Sequence, residues 1–438
     1  MTIHVVQPGE TMDYIADLYQ VSMDRLILDN GISNPDNLVV GQTIVIIKPL
    51  VVHTVQDGDT LADIAQKYEV SILGILQNNP YLADRKYIYP GETLVISYDT
   101  NKIGSMEISG YTYPFIKRDI LRKTLPYLTY LTIFHYQQLA NGDLIDIADE
   151  EIIQIAKEYG VAPIMLVSTQ SEQGGTNFET ANILINNPEL QDRQIENMIA
   201  VLKEKGYYGL NQYFQFYTSN VQELYIRYLE KLSTRVREEG FRLFVTISPR
   251  QFLEETGVKY EVIDYSLIMR YVDGITFLSY NWGYSYSPPA CSTPVNLLIE
   301  ALDYIESTIS TEEISLGLSI IGYDWQLPYI PGYTKGNAIT PESAILSAAE
   351  NEVAIQYNEI SEAPYYFYLA YEEQMHIVWF KDARSIDVIS SLVPEYNLQG
   401  LSIWNIMFFY TQMWFVLHNK FDIAKVQDSE TANVKSIE

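Results

Sequence analysis

The chain of 438 residues is poor in cysteine, in histidine and in basic side chains. Its only cysteine, Cys291, excludes an intramolecular disulfide and leaves the redox compartment open. The five histidines have no metal-ligand spacing, and no phosphate-binding loop or nucleophile elbow is present, so the sequence predicts neither a metal nor another cofactor. Lys and Arg number 28 against 56 Asp and Glu, and the net charge of −28 argues against electrostatic binding to nucleic acid or to an anionic membrane.

Long apolar runs are absent as well. No stretch approaches the roughly 20 apolar residues that span a bilayer, and the first ten residues lack the basic and apolar segments of a signal peptide.

The chain contains 47% hydrophobic residues and 36 tyrosines. Tyrosine-rich clefts suit carbohydrate, because sugar rings stack on aromatic faces while the hydroxyl forms hydrogen bonds. Most of the tyrosines are equally explained as ordinary core residues.

The first hundred residues contain an internal repeat. A pattern that begins at His4 begins again at His53, an offset of 53 − 4 = 49. Each copy predicts a strand, two helices and a strand that follows a glycine, at Gly41 and at Gly91. The repeat therefore predicts two βααβ modules, at 1–48 and 50–98.

The two copies resemble LysM domains over the full pattern G-[DE]-T-[LM]…I-A…Y-x-V-S…N…G-[QE]-T-[LI]-x-I. The resemblance implies binding to a polymer that contains N-acetylglucosamine, either peptidoglycan or chitin. It places the glycan groove between two loops of each module, at Gly9, Glu10, Thr11, Met12, Asn30, Gly31 and Ile32, and at Gly58, Asp59, Thr60, Leu61, Asn79, Pro80 and Tyr81. Helix capping by the two threonines and core packing of Met12 and Leu61 are the alternative interpretations. We expect the backbone groups of these loops, more than their side chains, to contact the glycan.

From about residue 104 the pattern changes to short strands, rich in β-branched residues, that alternate with helices. This is typical of an α/β fold, and eight such units predict a (β/α)8 TIM barrel at 104–425, followed by a tail at 426–438. The predicted strands are 105–111, 128–135, 162–168, 207–214, 242–248, 274–280, 314–321 and 398–404. The long gap at 322–397 lies between strands seven and eight and holds a helical pattern at 341–351 and strand-like runs at 353–357, 365–369 and 376–381. It therefore predicts a small α+β insertion.

The fourth predicted strand lies within G-Y-Y-G-L-N-Q-Y-F-Q-F-Y, residues 206–217, and resembles strand four of glycoside hydrolase family 18. The motif of that family, D-G-I-D-x-D-[FWY]-E, places its last aspartate on Tyr213 and its catalytic glutamate on Gln215. Other stretches, among them L-S-Y-N-W-G-Y-S-Y-S-P-P and I-G-Y-D-W-Q-L-P-Y, resemble the LysM-bearing branch of the family. That branch includes spore cortex fragment-lytic N-acetylglucosaminidases, which implies a location in the spore envelope or at the cell wall; a cytoplasmic location is the alternative.

The resemblance also implies a substrate-assisted reaction, in which the acetamido oxygen of the sugar attacks the anomeric carbon. Such an enzyme needs a carboxylic acid to protonate the leaving oxygen and an aspartate to orient the acetamide. Gln215 has no titratable proton to give, and Tyr213 is neutral at pH 7, so we predict an inactive site. The resemblance assigns sugar contacts in the cleft to Tyr280, Trp404, Asn281, Trp282, Trp325, Asp324 and Tyr136. A structural role is the alternative for Trp404, Tyr280 and Trp282.

Three functions fit these observations. The first is a glycan-binding protein with an inactive barrel; the second is a weak or altered glycosidase with an unidentified acid; the third is a structural protein of the spore envelope. The loss of both carboxylates favours the first.

Overall fold

The structure is a computed structural model. It describes residues 1–170, 177–213, 221–247, 264–279, 282–370 and 373–426, together with the backbone of 251–254 and 257–260. Within these residues no helix has the length and apolar character needed to cross a membrane.

Each N-terminal module folds as a strand, two helices and a strand, as predicted. In both modules the two strands pair antiparallel. Thr11 and Thr60 cap the first helices, accepting hydrogen bonds from the backbone N–H groups of Tyr14 (3.3 Å) and Asp63 (3.1 Å). The elements are β1 (Thr2–Val5), α1 (Met12–Tyr19), α2 (Met23–Asn30), β2 (Thr43–Ile46), β3 (Pro49–Thr54), α3 (Leu61–Tyr68), α4 (Ile72–Asn78) and β4 (Thr93–Tyr98).

The rest of the chain alternates strands and helices. The strands are β5 (Ser105–Thr112), β6 (Tyr130–Gln138), β7 (Leu144–Ile145), β8 (Ala162–Ser168), β9 (Gly209–Tyr213), β10 (Arg242–Ile247), β11 (Gln251–Glu254), β12 (Gly257–Tyr260), β13 (Gly274–Leu278), β14 (Ile314–Ser319), β15 (Gly322–Gln326), β16 (Asn337–Ile339), β17 (Gln356–Asn358), β18 (Ala363–Leu369), β19 (Met375–Trp379), β20 (Gly400–Trp404) and β21 (Asp422–Ile423). The helices are α5 (Arg118–Thr124), α6 (Glu150–Glu158), α7 (Phe178–Asn186), α8 (Pro188–Lys205), α9 (Gln222–Glu238), α10 (Ser266–Met269), α11 (Val295–Glu306), α12 (Pro341–Glu350), α13 (Ala383–Glu395) and α14 (Thr411–Lys420).

Eight parallel strands close into a barrel, which confirms the predicted fold class. Their order is β5, β6, β8, β9, β10, β13, β14 and β20, and β20 pairs with β5 to complete the ring. The outward-facing aliphatic side chains pack under the helices and form the main apolar layer. Hydroxyl side chains in the barrel interior bond to one another between neighbouring strands, as in the pairs Ser109–Thr132 (2.8 Å) and Ser315–Ser402 (2.8 Å).

The α+β insertion between strands seven and eight of the barrel is present as predicted. Its sheet has the order β16, β15, β19, β18 and β17, and α12 packs on one face. Two details differ from the prediction. The run at 353–357 is a strand only from Gln356 onward, and β15 and β16 were not predicted, because aromatic and glycine-containing stretches carry little alternation of apolar and polar residues.

The last barrel helix, α14, holds both N-terminal modules against the barrel. Gln412 at its start donates a hydrogen bond to Asn30 of the first module (3.1 Å). Its later turns contact the second module, where the ring centroids of Phe415 and Tyr98 lie 5.1 Å apart. The modules therefore pack directly on the barrel.

Candidate functional site

Aromatic side chains line the mouth of the barrel, where the C-terminal ends of the strands meet. Tyr213, at the end of β9, lies in register with Ser168 of β8 and Thr246 of β10. It belongs to an apolar cluster with Trp404, at the end of β20, and with Phe134 and Tyr113. In a (β/α)8 barrel this end of the strands carries the chemistry. The position that the family motif assigns to an aspartate therefore holds a half-buried aromatic ring.

Trp404 lies at the centre of this cluster and remains half-exposed. Its ring is edge-on to Phe134 at a centroid distance of 5.2 Å and to Tyr113 at 6.0 Å. Tyr113 in turn stacks on Phe115 at 5.2 Å, and Phe115 is 75% exposed. The rings thus form a continuous aromatic surface from the mouth of the barrel to solvent.

A neutral hydrogen-bond network lies one layer deeper in the barrel. Asn211 donates from Nδ2 to the hydroxyl of Tyr111 (3.2 Å) and accepts from Thr246 at Oδ1 (2.9 Å). The hydroxyls of Tyr111 and Thr246 are 3.0 Å apart, and burial raises the pKa of Tyr111. Asn211 was missed at the level of sequence, although the motif itself contains the signal: its preceding aspartate, two residues before the one at Tyr213, falls on Asn211.

No acidic residue ends any of the eight barrel strands that the structure describes. Their last residues are Thr112, Gln138, Ser168, Tyr213, Ile247, Leu278, Ser319 and Trp404. Nor do three or more His, Cys, Asp or Glu side chains group as metal ligands among the described residues. The described strand ends at the mouth thus carry aromatic, aliphatic, hydroxyl and amide groups.

Three predicted site residues, Gln215, Tyr280 and Asn281, lie outside the described residues. Trp282, on the loop after β13, is half-buried, and its indole Nε1 has no hydrogen-bond acceptor among the described residues. His135, near the end of β6, bonds through Nε2 to the backbone oxygen of Gln170 (2.9 Å).

Two predicted cleft residues are buried, and these predictions were wrong. Tyr136 has no exposed surface, and its hydroxyl donates to Asp149 (2.8 Å) in the layer between strands and helices. Trp325 is also fully buried under Gly336, where a Cβ atom would lie 2.6 Å from the indole Nε1.

Asp324 is not free to line a cleft beside Trp325. Adjacent residues of a strand point to opposite faces, so the two side chains of β15 cannot share one wall. Asp324 accepts a hydrogen bond from Tyr368 (2.7 Å) and pairs with Nδ1 of His376 (2.8 Å) on the face of the sheet that carries α12. Because β15 was not predicted, the alternation of its side chains did not enter the prediction for Asp324.

Four predicted contacts in the LysM loops are buried. Met12 and Leu61 belong to the module cores, at 2% and 0% exposure. Asn30 and Asn79 are 6% and 0% exposed, and each carboxamide bridges its helix to the last strand of its module. The side chains of these four residues are therefore not available to a glycan. For Met12 and Leu61 this is the core packing given above as the alternative, and contacts with the loop backbone stay a prediction.

The other predicted loop residues reach the surface. Gly9, Thr11 and Gly58 are exposed, and Gly31, Ile32, Thr60, Pro80 and Tyr81 are half-buried. The carboxylates of Glu10 and Asp59 hold the first loops together, since each accepts a backbone N–H, at 2.8 and 2.7 Å, and contacts a histidine at 2.8 Å. The backbone hydrogen bonds lower the pKa of both carboxyls.

Comparisons with known proteins agree with this architecture. Residues 110–408 match the profile of glycosyl hydrolases family 18, and residues 4–46 and 53–97 each match the LysM domain. The chain is 31% identical to the cortical fragment-lytic enzyme of Bacillus subtilis (strain 168), over 97% of this chain and 99% of that protein. It is 30% identical to the enzyme of the same name from Bacillus anthracis, with the same coverage of both chains. The crystal structure of the Bacillus megaterium QM B1551 spore cortex-lytic enzyme SleL superposes with a TM-score of 0.79 at 29% identity, over 97% of this chain and 99% of that one.

Proposed function

Because the chain belongs to glycosyl hydrolases family 18 and carries two LysM domains, we propose that it binds peptidoglycan, or another polymer of N-acetylglucosamine, without hydrolysing it. The location that goes with this function is the spore envelope or the cell wall. The proposal is carried by one observation: Tyr213 stands at the mouth of the barrel where the family motif has an aspartate.

The family reaction requires a proton donor and an anionic residue close to the acetamide. General acid catalysis is typically worth roughly 10²–10⁴-fold in rate. The amide of Gln215 has no proton to transfer near neutral pH, and the phenol of Tyr213 carries no negative charge to stabilise a developing cation. Since Asn211 is neutral as well, all three acidic positions of D-x-D-x-E are replaced.

Binding does not depend on these groups. The half-exposed Trp404 and the exposed Phe115 offer ring faces on which sugars stack. The LysM modules add surface loops at a fixed distance from the mouth, because α14 holds them to the barrel. Two or more weak sites on one polymer raise the overall affinity through effective concentration.

An active glycosidase is the second candidate. Similarity to cortical fragment-lytic enzymes over nearly the whole chain favours it, but it would require an acid from outside the motif positions. A structural protein of the spore envelope is the third candidate, which would not need an accessible cleft.

Restoring two of the three replaced acidic positions tests the proposal. We expect Tyr213→Asp combined with Gln215→Glu to release reducing ends from chitooligosaccharides, while Gln215→Glu alone remains inactive because the acetamide lacks its anionic partner. Crystals soaked with N-acetylglucosamine oligomers separate binding from a purely structural role. Sugar stacked on Trp404 supports binding, and a mouth that admits no sugar contradicts it.

A further inference from the structure

In the first LysM module, the loop that follows α2 faces α12 of the barrel insertion as well as solvent. A hollow of about 510 Å³, including its open side, separates this loop from α12 of the barrel insertion. Asn34, Asn37 and Gln42 line it on the module side, and Ile345 and Leu346 line it on the helix side. The lining of the hollow therefore comes from two separate parts of the chain.

The two walls of the hollow are fixed to each other. The backbone N–H of Ile355, in the insertion, donates to the carbonyl of Val40 in the module (2.8 Å). Val39 is buried in the apolar cluster of the insertion, and a Cβ at Gly41 would lie 2.0 Å from the carbonyl oxygen of Ile355. A ligand in the hollow would thus contact two parts of the chain that are already packed together, at little cost in ordering.

The lining has a distinct chemical character. Carboxamides and the hydroxyls of Ser33 and Tyr410 face aliphatic side chains, and no described lining residue is basic; the single charged group is Glu342. Without a cation the hollow disfavours phosphate and carboxylate groups. An acetamido group suits it, because its N–H and C=O bond to carboxamides while its methyl group contacts an aliphatic surface such as Leu346, which is 40% exposed.

We propose that this hollow is a binding site for an uncharged N-acetylhexosamine unit, shared between the first LysM module and α12. The site rests on the proposed function, since it specifies where part of the glycan lies. The barrel insertion then contacts the glycan that the LysM module binds. The bound glycan chain lies next to the barrel.

Hydrogen–deuterium exchange of the full chain with chitotetraose tests the site. The unmodified chain should show slower exchange in both 31–38 and 341–350 when the ligand is added. Leu346→Trp fills the hollow and should abolish this protection in both segments. The matched control Leu28→Trp changes an exposed leucine of the same module, outside the lining, and should keep it. Leu346→Gln, which disturbs folding less, should weaken the protection at least threefold.

Calorimetry in the same samples separates two kinds of failure. If chitotetraose binds and protects other segments but leaves 341–350 unchanged, the shared site is wrong and the proposed function stands. If chitotetraose and longer oligomers do not bind at all, the proposed function and this inference both fail.

Discussion

Asn211 and Tyr111 are joined by a hydrogen bond of 3.2 Å, from the carboxamide Nδ2 to the phenol oxygen, inside the barrel below Tyr213. Thr246 closes the network, as its hydroxyl donates to Oδ1 of Asn211 and can accept from Tyr111. Every polar group of this trio is satisfied without a charge. The motif position held by Asn211 is therefore part of a neutral network, so the replacement of acidic residues extends below the surface of the mouth.

Thr246→Val should destabilise the protein by about 1–3 kcal/mol, because it leaves a buried carboxamide oxygen without its donor. Urea unfolding of the full chain measures the change in free energy. Thr234→Val on α9 is the matched control: its exposed hydroxyl only bonds back to the carbonyl of Glu230, so little change is expected. Equal effects of the two substitutions would contradict the role given to the network.

Trp404→Ala should weaken binding of N-acetylglucosamine oligomers roughly tenfold, equivalent to about 1.4 kcal/mol of lost stacking. Trp404→Phe should retain most of the affinity, since it keeps an aromatic face. Isothermal titration calorimetry gives the dissociation constants. Tyr333→Ala, at a tyrosine that is 87% exposed outside the aromatic cluster, serves as the control. An unchanged affinity after Trp404→Ala would remove Trp404 from the binding surface.

Arg25→Ala should cost about 3–5 kcal/mol, because Asp29 would remain buried without its ion-pair partner. Arg25 also donates to the carbonyl of Asn78 (2.8 Å) and to the hydroxyl of Tyr98 (2.6 Å), which ties the two LysM modules together. Burial already raises the pKa of Asp29. The double variant with Asp29→Asn should recover part of the loss in urea unfolding. If it is no more stable than Arg25→Ala alone, the buried charge is not the cause.

Acid should weaken the contact of α14 with the second module. Burial, with a smaller contribution from Lys102, lowers the pKa of His418 to about 3, and its Nε2 lies 3.1 Å from Oδ1 of Asn78. The folded state thus favours neutral His418. This stability is complete above the unfolded pKa near 6.5 and is lost as the pH falls toward 3, by about 1.4 kcal/mol per pH unit.

His418→Gln removes this titration and keeps a hydrogen-bond donor. Between pH 6.5 and pH 5 the unmodified protein should lose about 2 kcal/mol more of its free energy of unfolding than the variant does. Above pH 7 the difference between the two proteins should not change with pH. Parallel losses between pH 6.5 and pH 5 would show that His418 is not the titrating group.

The sequence predicted the fold well because strand and helix periodicity is strong along the barrel. The repeat at His4 and His53 predicted both modules, and short β-branched runs predicted all eight barrel strands to within a few residues. The placement of Trp404 at the mouth also follows from its position at a strand end. These are local features that a single sequence contains.

The predictions for side-chain exposure were less successful. Tyr136 and Trp325 were predicted to line the cleft because each follows a barrel strand in the sequence. Their exposure depends instead on which neighbours cover the side chain, as Gly336 covers Trp325. Burial of Asn30 likewise depends on Gln412, which is 382 residues away in sequence. Such contacts are set by tertiary packing and leave no local pattern.

The central claim is that this chain binds glycan but does not cleave it. The most direct test is to incubate the unmodified, pure protein with cortex fragments and with chitooligosaccharides, and to measure the release of reducing ends over time. We expect no release above that of a buffer control, at protein concentrations at which binding is saturated. Release that rises in proportion to the amount of protein, and that disappears when a residue of the barrel mouth is changed, would contradict the claim.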